Sequence, residues 1–326
     1  MVDISIIIPT TLRAQSVTIL SDVLKKVHFI IDKNKIKIEV LLILDANVSD
    51  IEKSISEKLD QFINEYPFFK YYQNGKSGAA SNRNYGVRVS NGRYLLFMDD
   101  DIMLPDSNVI ISMYKFVIDN PHTAINPNWV LPHELINEML KTKFGRFLIN
   151  VNLVNYKGWV YLPEWRDDKI FETHKLAAFC LMISREDFIR VNGFNEVFKY
   201  QGIEDDIFSF NLSKNNIKLF INPLIYVYHY ESDRMDIRSR MKRFYIGAMN
   251  RKIAYELLGF SQYKIVYHPV KKIILNFISL FPNFWYWLFD LLPNTKYLDF
   301  ISFKIAHIIT AINIYKGFKS KIDEQG

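Results

Sequence analysis

The sequence of 326 residues predicts an α/β fold, a mainly parallel sheet flanked by helices, with a helical extension in its last third. Along the first 230 residues, short apolar runs alternate with segments of helical spacing, which is the order that a parallel sheet requires. Hydrophobic residues make up 49% of the chain and aromatic residues 15%, which is enough to build a sizeable core. From residue 234 onward, basic residues are interleaved with apolar ones at helical spacing.

The predicted strands are apolar, β-branched runs that stop at turn or acidic residues. Pro9-Thr10-Thr11 ends the first run, Asp45-Ala46-Asn47 ends the second, and an acidic cluster follows Met98. The predicted strands cover residues 2–9, 36–44, 69–73, 94–98, 176–183 and 219–229.

The predicted helices begin at caps, at flexible turns or at acidic residues. Ser49 suits a helix start with acids in the first turn, and Gly75-Lys76-Ser77-Gly78 is a flexible turn before the third helix. The predicted helices cover residues 16–29, 49–66, 79–90, 107–120, 186–191 and 202–215. Residues 121–175 are aromatic-rich and irregular, and we predict no element within them.

Composition and charge exclude several classes of protein. The single cysteine, Cys180, excludes an internal disulfide framework and predicts a reducing compartment. The chain does not open with a basic segment followed by an apolar one, so we expect no secretory signal. Residues 1–233 carry 26 Lys and Arg against 29 Asp and Glu, whereas the remainder carries 15 against six. That basic remainder suits an anionic membrane surface; nucleic-acid binding is not expected, because long apolar segments interrupt it and no recognisable module is present.

The most informative feature is the strand Tyr94 to Met98, which ends in Asp99, Asp100 and Asp101. Adjacent carboxylates repel one another unless a cation or hydrogen-bond donors offset the repulsion. Hard oxygen ligands suit Mg²⁺ or Mn²⁺, and these ions keep positions open for substrate phosphates. The cluster therefore predicts a divalent cation and a phosphate-bearing substrate, and the alternative is an acidic turn that faces water.

Together, the acidic cluster, the acidic start of the helix at Gly202 and a histidine at the end of the last strand resemble the family 2 glycosyltransferases with a GT-A fold. The resemblance covers roughly residues 3 to 230 and implies a GT-A-type, Rossmann-like sheet. The matching pieces occur in the family's order: Ser5 to Thr10, Glu39 to Asp45 with Asp50 five residues on, Gly78 with Ser81 to Gly86, Asp99 to Asp101, Gly193 to Glu196, Gly202 to Asp205, and His229.

The resemblance implies a nucleotide pocket at the ends of the first two strands. Asp45 would hydrogen-bond the base or ribose, and its alternative role is a helix-capping or turn aspartate. Pro9 and Thr10 would line the same pocket through backbone contacts. Arg83 would approach the diphosphate or the acidic cluster, and its alternative is a structural ion pair with Asp99.

The resemblance also implies the metal ligands. Asp101 would bind Mn²⁺ or Mg²⁺ directly, Asp99 would lie on the ribose or sugar side, and Asp100 would orient the cluster. His229 would complete the metal shell, since a neutral imidazole is an acceptable ligand for Mn²⁺ beside carboxylates. The alternative for His229 is a histidine packed in the core.

For catalysis, Asp205 is the predicted general base, which takes the proton of the acceptor hydroxyl, and Glu204 would hold the acceptor. Asp206 can substitute for Asp205, because three consecutive acids blur the assignment. The family often has a further acid and an arginine later in this helix, where this chain has Ile207 and Asn211, so the acceptor site departs from the family pattern.

Two tryptophans in the irregular segment, Trp159 and Trp165, are candidates to stack on a sugar, with core packing as the alternative. We predict a catalytic domain over residues 1–232, with a nucleotide-sugar-binding half at 1–105 and an acceptor-binding half at 106–232. Residues 233–326 form the basic helical extension, a candidate for membrane association or oligomerisation, with a helical hairpin packed on the catalytic core or on a partner subunit as the alternative to membrane contact. The run 273–292 contains Pro and Asp and clusters its aromatic residues centrally, which favours contact in the membrane plane over a spanning helix.

The expected function is metal-dependent, inverting transfer of a sugar from a nucleotide-diphosphate donor, with uridine as the expected base, to a glycan or lipid-linked glycan of surface polysaccharide. The expected location is cytoplasmic, on the inner face of the cell membrane, and a homo-oligomer is an open expectation. Two alternatives remain. A nucleotidyltransferase would need a glycine-rich basic loop after the first strand, which Pro9 to Arg13 does not provide. A non-catalytic, sugar-nucleotide-binding membrane scaffold would bind donor without transfer.

Overall fold

A computed structural model describes residues 2–48, 51–160, 162–198, 202–231 and 235–322. Within them the strands are β1 Val2–Thr10, β2 Ile38–Leu44, β3 Phe69–Gln73, β4 Gly92–Met98, β5 Ile102–Met103, β6 Thr123–Val130, β7 Phe171–Thr173, β8 Cys180–Ser184 and β9 Lys218–His229. These described strands form one sheet in the order β3, β2, β1, β4, β8, β6, β9, β5, and β7 pairs with β9. Strands β1 to β4 are mutually parallel, β8 is antiparallel to β4 and β6, and β6 is parallel to β9.

The helices of the described residues are α1 Ala14–Asn34, α2 Lys53–Glu65, α3 Ala79–Val89, α4 Asn108–Asp119, α5 His133–Leu140, α6 Lys143–Asn150, α7 Tyr156–Val160, α8 Arg185–Arg190, α9 Glu204–Lys214, α10 Ile237–Glu256, α11 Pro269–Ile278, α12 Pro282–Leu291 and α13 Asp299–Lys319. The chain divides into two compact units. The first comprises the described residues of Met1–Val130, Asn155–Lys199 and Glu204–Tyr230, and the second those of Leu131–Val154, Tyr200–Ile203 and Glu231–Gly326.

The central strands β1, β2 and β4 are buried nearly throughout, because helices cover a sheet whose strands are apolar on both faces. The α/β architecture predicted from the alternation of apolar runs and helices is confirmed, with β1 to β4 parallel as expected. The other half of the sheet is mixed, because β8 is antiparallel to β4 and β6, and β5 and β7 are antiparallel to β9. For β1 to β4, the predicted and observed strands differ by at most two residues at an end. Predicted helix 2 began at Ser49, which with Asp50 lies outside the described residues.

The described residues of the segment 121–175, which the sequence indicates to be irregular, contain two strands and three helices. Strand β6 was missed because Asn126-Pro127-Asn128 interrupts its apolar pattern. The tertiary structure compensates for the polar residue: the Asn126 side chain is fully buried and donates to the carbonyls of Ala177 at 2.9 Å and Cys180 at 2.6 Å. Predicted strand 176–183 correspondingly begins only at Cys180.

Gly86 is where α3 lies against the sheet, and it has no room for a side chain. A Cβ at this position would lie 2.3 Å from Cγ2 of Ile7 and 3.2 Å from Cγ1 of Ile43. We therefore expect Gly86→Ala to lower the free energy of unfolding by about 1–3 kcal/mol through overpacking. Denaturant unfolding followed by circular dichroism measures this change.

Gly247 in α10 provides the matched control, because a Cβ there would meet no atom within 4 Å. Gly247→Ala should be neutral or stabilise by up to about 1 kcal/mol, since alanine has the higher helix propensity. Equal stability of the Gly86→Ala variant and the wild type would show that α3 does not lie against β1 and β2 as described.

The second unit is held together by polar contacts between α6 and the C-terminal helices. Arg146 makes two hydrogen bonds to the carboxylate of Asp299, at 2.7 and 2.8 Å. The ammonium of Lys143 donates to the carbonyls of Phe289 and Leu292 at the end of α12. The predicted division at residue 232/233 lies close to the boundary after Tyr230, but the structure groups residues 131–154 with the C-terminal helices. The contacts of α6 with the C-terminal helices join segments that are far apart in the sequence, so no local pattern predicts them.

The basic segments of the last third are helical, as their spacing indicated. The apolar run 273–292 is split into α11 and α12, each of which has proline in its first turn. By length and hydropathy alone, one stretch of the described chain, Lys296–Lys319, is able to cross a bilayer. One face of α13 packs on α10, where Gly317 has no room for a Cβ beside the backbone of Tyr245.

Candidate active site

The carboxyl ends of β1, β2 and β4 meet at one edge of the sheet, because these strands are neighbours and parallel. Thr10, Asp45 and Asp99 end or follow these strands, so the first unit brings together the residues that the strand pattern predicted at one edge. Pro9 is a buried residue of β1, paired with Ile43 of β2.

Asp100 is held by three donors from the start of the chain. Its carboxylate accepts hydrogen bonds from Thr10 Oγ1 at 2.5 Å, Ser16 Oγ at 2.7 Å and Arg13 Nη2 at 2.9 Å. Burial and the charge of Asp101 raise the pKa of Asp100, and these donors oppose the rise. Asp100 therefore anchors the acidic cluster to the loop after β1. Sequence reasoning missed Arg13 and Ser16 as its partners; the sole basic residue in that loop was the available signal for Arg13.

Asp101 and His229 are neighbours, as the resemblance implied. His229 Nε2 lies 3.1 Å from Asp101 Oδ1, and both side chains are less than one-tenth exposed. Backbone pairing produces this proximity: β5 and β9 pair with Ile102 opposite His229, and the N–H of Tyr230 donates to the Asp101 carbonyl at 2.8 Å. The ring of Trp129 packs edge-on against the imidazole.

A carboxylate and an imidazole suit Mn²⁺, which accepts both oxygen and nitrogen ligands, so the donor set fits a divalent cation. In the described residues, no group of three or more His, Cys, Asp and Glu side chains is placed to hold a metal ion. A cation bound here would have Asp101 and His229 among its ligands, together with a substrate phosphate.

Arg83 links the acidic cluster to the start of α9. Its side chain is 2% exposed, and its Nη2 donates to Asp99 Oδ1 at 2.7 Å. Its Nη1 lies 3.9 Å from Asp205 Oδ1 and 4.0 Å from Glu204 Oε1. Burial opposes its charge, but these three carboxylates raise the pKa of Arg83 above its ordinary value. The ion pair with Asp99 that was an alternative for Arg83 is present.

The buried guanidinium retains donor capacity. Nε and Nη1 of Arg83 make no hydrogen bond within the described part of the chain. The face of Phe194 lies 5.4 Å from the guanidinium carbon. A buried donor without an acceptor is costly, so an anionic substrate that supplied one would be favoured at this position.

Asp205 is a largely buried acid at the start of α9 with a raised pKa. Burial raises its pKa to about 6, while the charge of Arg83 and a hydrogen bond from the Ala178 N–H limit the rise. That N–H is 3.0 Å from Oδ2, and Oδ1 accepts no hydrogen bond from the described residues. Asp205 therefore has an acceptor atom for a proton and a pKa near neutrality.

Asp206, the next acid in the chain, differs from Asp205 in its surroundings. Asp206 Oδ1 lies 2.7 Å from Lys175 Nζ, and that ammonium lies 5.6 Å from the centre of the Trp159 ring.

Trp159 is 42% exposed, whereas Trp165 is buried and its indole N–H donates to Asp167 at 2.7 Å. Of the two tryptophans, only Trp159 therefore has a face open to a sugar.

Asp45 is tied to α3. Its Oδ2 accepts hydrogen bonds from the Gly78 N–H and from Asn82 Nδ2, both at 2.8 Å, and its Oδ1 accepts the Asn47 N–H at 3.0 Å. This is the geometry of the turn and helix-capping alternative. Its contact with a nucleotide stays a prediction. Asp50, which belongs to the same motif, lies outside the described residues.

A cleft of about 360 Å³ opens between the loops that follow β1 and β2. Leu12, Arg13, Asn47, Val48 and Glu52 are among its lining residues. Its apolar and polar lining and its place beyond the strand ends suit a nucleoside.

The family model described as Glycosyl transferase family 2 matches residues 5–188, more than half of the chain. The chain belongs to this family. A second family model, described as the N-terminal domain of galactosyltransferase, matches residues 169–237. An uncharacterized glycosyltransferase of Rickettsia bellii (strain RML369-C) is 23% identical over 179 residues, which are 55% of this chain and 22% of that protein. This family 2 chain thus spans about a fifth of the length of that relative.

Solved structures support the fold of this family 2 chain. A crystal structure of GalNAc-T7 with UDP, GalNAc and Mn²⁺ aligns with a TM-score of 0.52 and 14% identity over 81% of this chain and 53% of that chain. The mannosyltransferase PcManGT from Pyrobaculum calidifontis, solved with GDP-Man and Mn²⁺, aligns with a TM-score of 0.56 and 13% identity over 98% of this chain and 88% of that chain. The GT-A fold predicted from the motif order is confirmed.

Proposed function

We propose that this family 2 chain is a metal-dependent, inverting glycosyltransferase that uses a nucleotide-diphosphate sugar. The observation that carries the proposal is the position of Arg83, which hydrogen-bonds Asp99 of the acidic cluster and lies within 4.0 Å of Glu204 and Asp205. One buried guanidinium therefore connects a candidate cation site with a candidate general base. A sugar transferase needs these two functions side by side.

The reaction is a single displacement in which the acceptor hydroxyl attacks the anomeric carbon. Its oxygen forms the new glycosidic bond as the bond to the diphosphate breaks, and its proton passes to Oδ1 of Asp205. Asp101 and His229 would hold a divalent cation, which supplies charge neutralisation for the departing nucleoside diphosphate. Arg83 holds Asp99 and directs its remaining donors to anionic substrate, and Glu204 orients the acceptor.

The donor class is supported by the neighbouring structures. GalNAc-T7 was solved with UDP and Mn²⁺, and PcManGT with GDP-Man and Mn²⁺. The uridine diphosphate sugar expected from the resemblance is the first donor to test, and a guanosine diphosphate sugar the second. The proposed acceptor is a glycan or lipid-linked glycan of surface polysaccharide.

The direct test is incubation of the purified chain with Mn²⁺ and a panel of nucleotide sugars, with and without glycan acceptors. Thermal unfolding detects donor binding, because a ligand bound only by the native state raises the melting temperature. Release of nucleoside diphosphate, dependent on acceptor and with inverted anomeric configuration in the product, would support the proposal. Donor binding without acceptor-dependent release across the panel would instead identify a non-catalytic sugar-nucleotide-binding protein.

Trp159 is the proposed acceptor platform beside the acidic start of α9. We expect Trp159→Ala to raise the KM for acceptor by about 2- to 10-fold, the contribution of one aromatic stacking contact, with the donor KM unchanged. Trp159→Phe is the control that keeps a ring and should retain most of the acceptor affinity. Steady-state kinetics with each substrate varied separately measures both constants, and an unchanged acceptor KM in Trp159→Ala would exclude this role.

A further inference from the structure

Helices α11 and α12 of the second unit expose most of their apolar residues. Each helix buries a single side chain, Leu275 in α11 and Phe289 in α12. Several large apolar residues of these helices and of the segment between them are between 48% and 68% exposed, among them Ile273, Phe277, Leu280, Phe281, Phe284 and Trp287. We call these six residues the apolar hairpin surface. The apolar face of a helix is normally buried against protein or lipid.

The lengths of the two helices determine how they can meet a bilayer. Each has ten residues, or about 15 Å of helix, which is half of the hydrocarbon thickness of about 30 Å. Residues 279–281 separate them, and proline begins each helix. Neither helix is long enough to span, so contact with lipid would be in the plane of the interface. Phenylalanine and tryptophan in the surface suit that depth.

The charge around the apolar hairpin surface is positive. Lys271 and Lys272 are exposed on α11 beside Ile273. The nearby acid on α12, Asp290, is already paired with Arg238 at 2.6 Å. Basic residues next to exposed apolar and aromatic ones match an anionic lipid surface, which offers both headgroup charge and acyl chains.

Self-association would suit this surface less well. In a two-fold contact the same patch meets itself, so the lysine pairs of both copies would enter one interface. Anionic lipid neutralises those lysines, whereas a second copy adds to their repulsion.

We propose that the apolar hairpin surface binds an anionic bilayer, with α11 and α12 lying in its interfacial plane. This inference stands on the second unit alone and does not depend on the proposed catalytic activity. We also propose that this bilayer is the inner face of the cell membrane, the location expected from the sequence.

The test is sedimentation of the full chain with vesicles of phosphatidylcholine, alone or mixed with phosphatidylglycerol. The wild type should bind the mixed vesicles and lose binding as salt is raised. The double variant Ile273→Glu/Phe277→Glu should bind at least about 10-fold more weakly, because it places charge on the apolar face. The double variant Lys271→Gln/Lys272→Gln should weaken binding by about 10- to 30-fold, from the attraction of two lysines to anionic lipid.

Ile189→Glu is the matched control, since Ile189 is 60% exposed on α8 of the first unit. It should bind vesicles like the wild type, and circular dichroism should show all variants folded. Failure of the wild type to bind mixed vesicles would overturn the proposal, as would equal binding by the Ile273→Glu/Phe277→Glu variant. A dimer seen by light scattering, lost in that variant and accompanied by no vesicle binding, would assign the surface to a second copy instead.

Discussion

Asp205→Asn is expected to reduce the rate of sugar transfer by about 10²- to 10⁴-fold, the usual contribution of a general base, while donor affinity persists. The amide keeps the size of the carboxylate and loses its ability to accept the acceptor's proton. Single-turnover transfer and calorimetric titration of the nucleoside diphosphate with Mn²⁺ measure the two quantities separately. Asp206→Asn is the matched control, because Asp206 is already paired with Lys175 and should lose much less activity.

The same assignment fixes the sign of the pH dependence. A base works when it is deprotonated, and burial raises the pKa of Asp205 to about 6. Transfer should therefore be slow below pH 6 and rise through that value to a plateau. The rise in rate through pH 6 should be absent from the residual activity of Asp205→Asn. Full transfer by that variant, or a wild-type rate that is flat through pH 6, would remove Asp205 from the role of base.

The second large effect is expected from loss of the divalent cation. Chelation should reduce turnover by at least about 10²-fold, because the charge that develops on the leaving diphosphate is then not neutralised. Added Mn²⁺ should restore activity. Asp101→Asn and His229→Ala should weaken the binding of nucleoside diphosphate with Mn²⁺ and lower turnover to a similar degree.

His122→Ala is the control for the histidine. His122 is half exposed, and its imidazole is paired with Asp187 at 2.9 Å instead of with the acidic cluster. This variant should keep both activity and Mn²⁺ dependence. Undiminished transfer in excess chelator would contradict the metal assignment, even if Asp205 proved to be essential.

The parts of the site that the sequence predicted are those that lie on regular strands. The apolar runs place Thr10, Asp45 and Asp99 after parallel neighbours, and parallel strands bring their carboxyl ends to one edge without further information. The proximity of Asp101 and His229 could not be predicted from the parallel strands alone, because a short antiparallel pairing of β5 with β9 produces it. Only the family resemblance indicated that pair, because two residues far apart in sequence carry no local signal.

The parts that could not be predicted depend on tertiary contacts. The Asn126 side chain satisfies two carbonyls in the core, so a segment that looked like a loop forms strand β6. Arg146 joins α6 to α13 through Asp299, so residues 131–154 belong with the C-terminal helices. For Asp45 the sequence allows either a contact with the nucleotide or a turn and helix-capping role. Its carboxylate accepts three hydrogen bonds, from Asn47, Gly78 and Asn82, which give it a structural role.

The central claim is that Asp101 and His229 hold the cation that accompanies the donor. The most direct measurement is anomalous X-ray scattering at the manganese edge from crystals grown with Mn²⁺ and a nucleoside diphosphate. We expect an anomalous peak in contact with the Asp101 carboxylate, the His229 imidazole and the diphosphate. A bound nucleotide with its manganese peak away from both side chains, or with no peak at all, would contradict it.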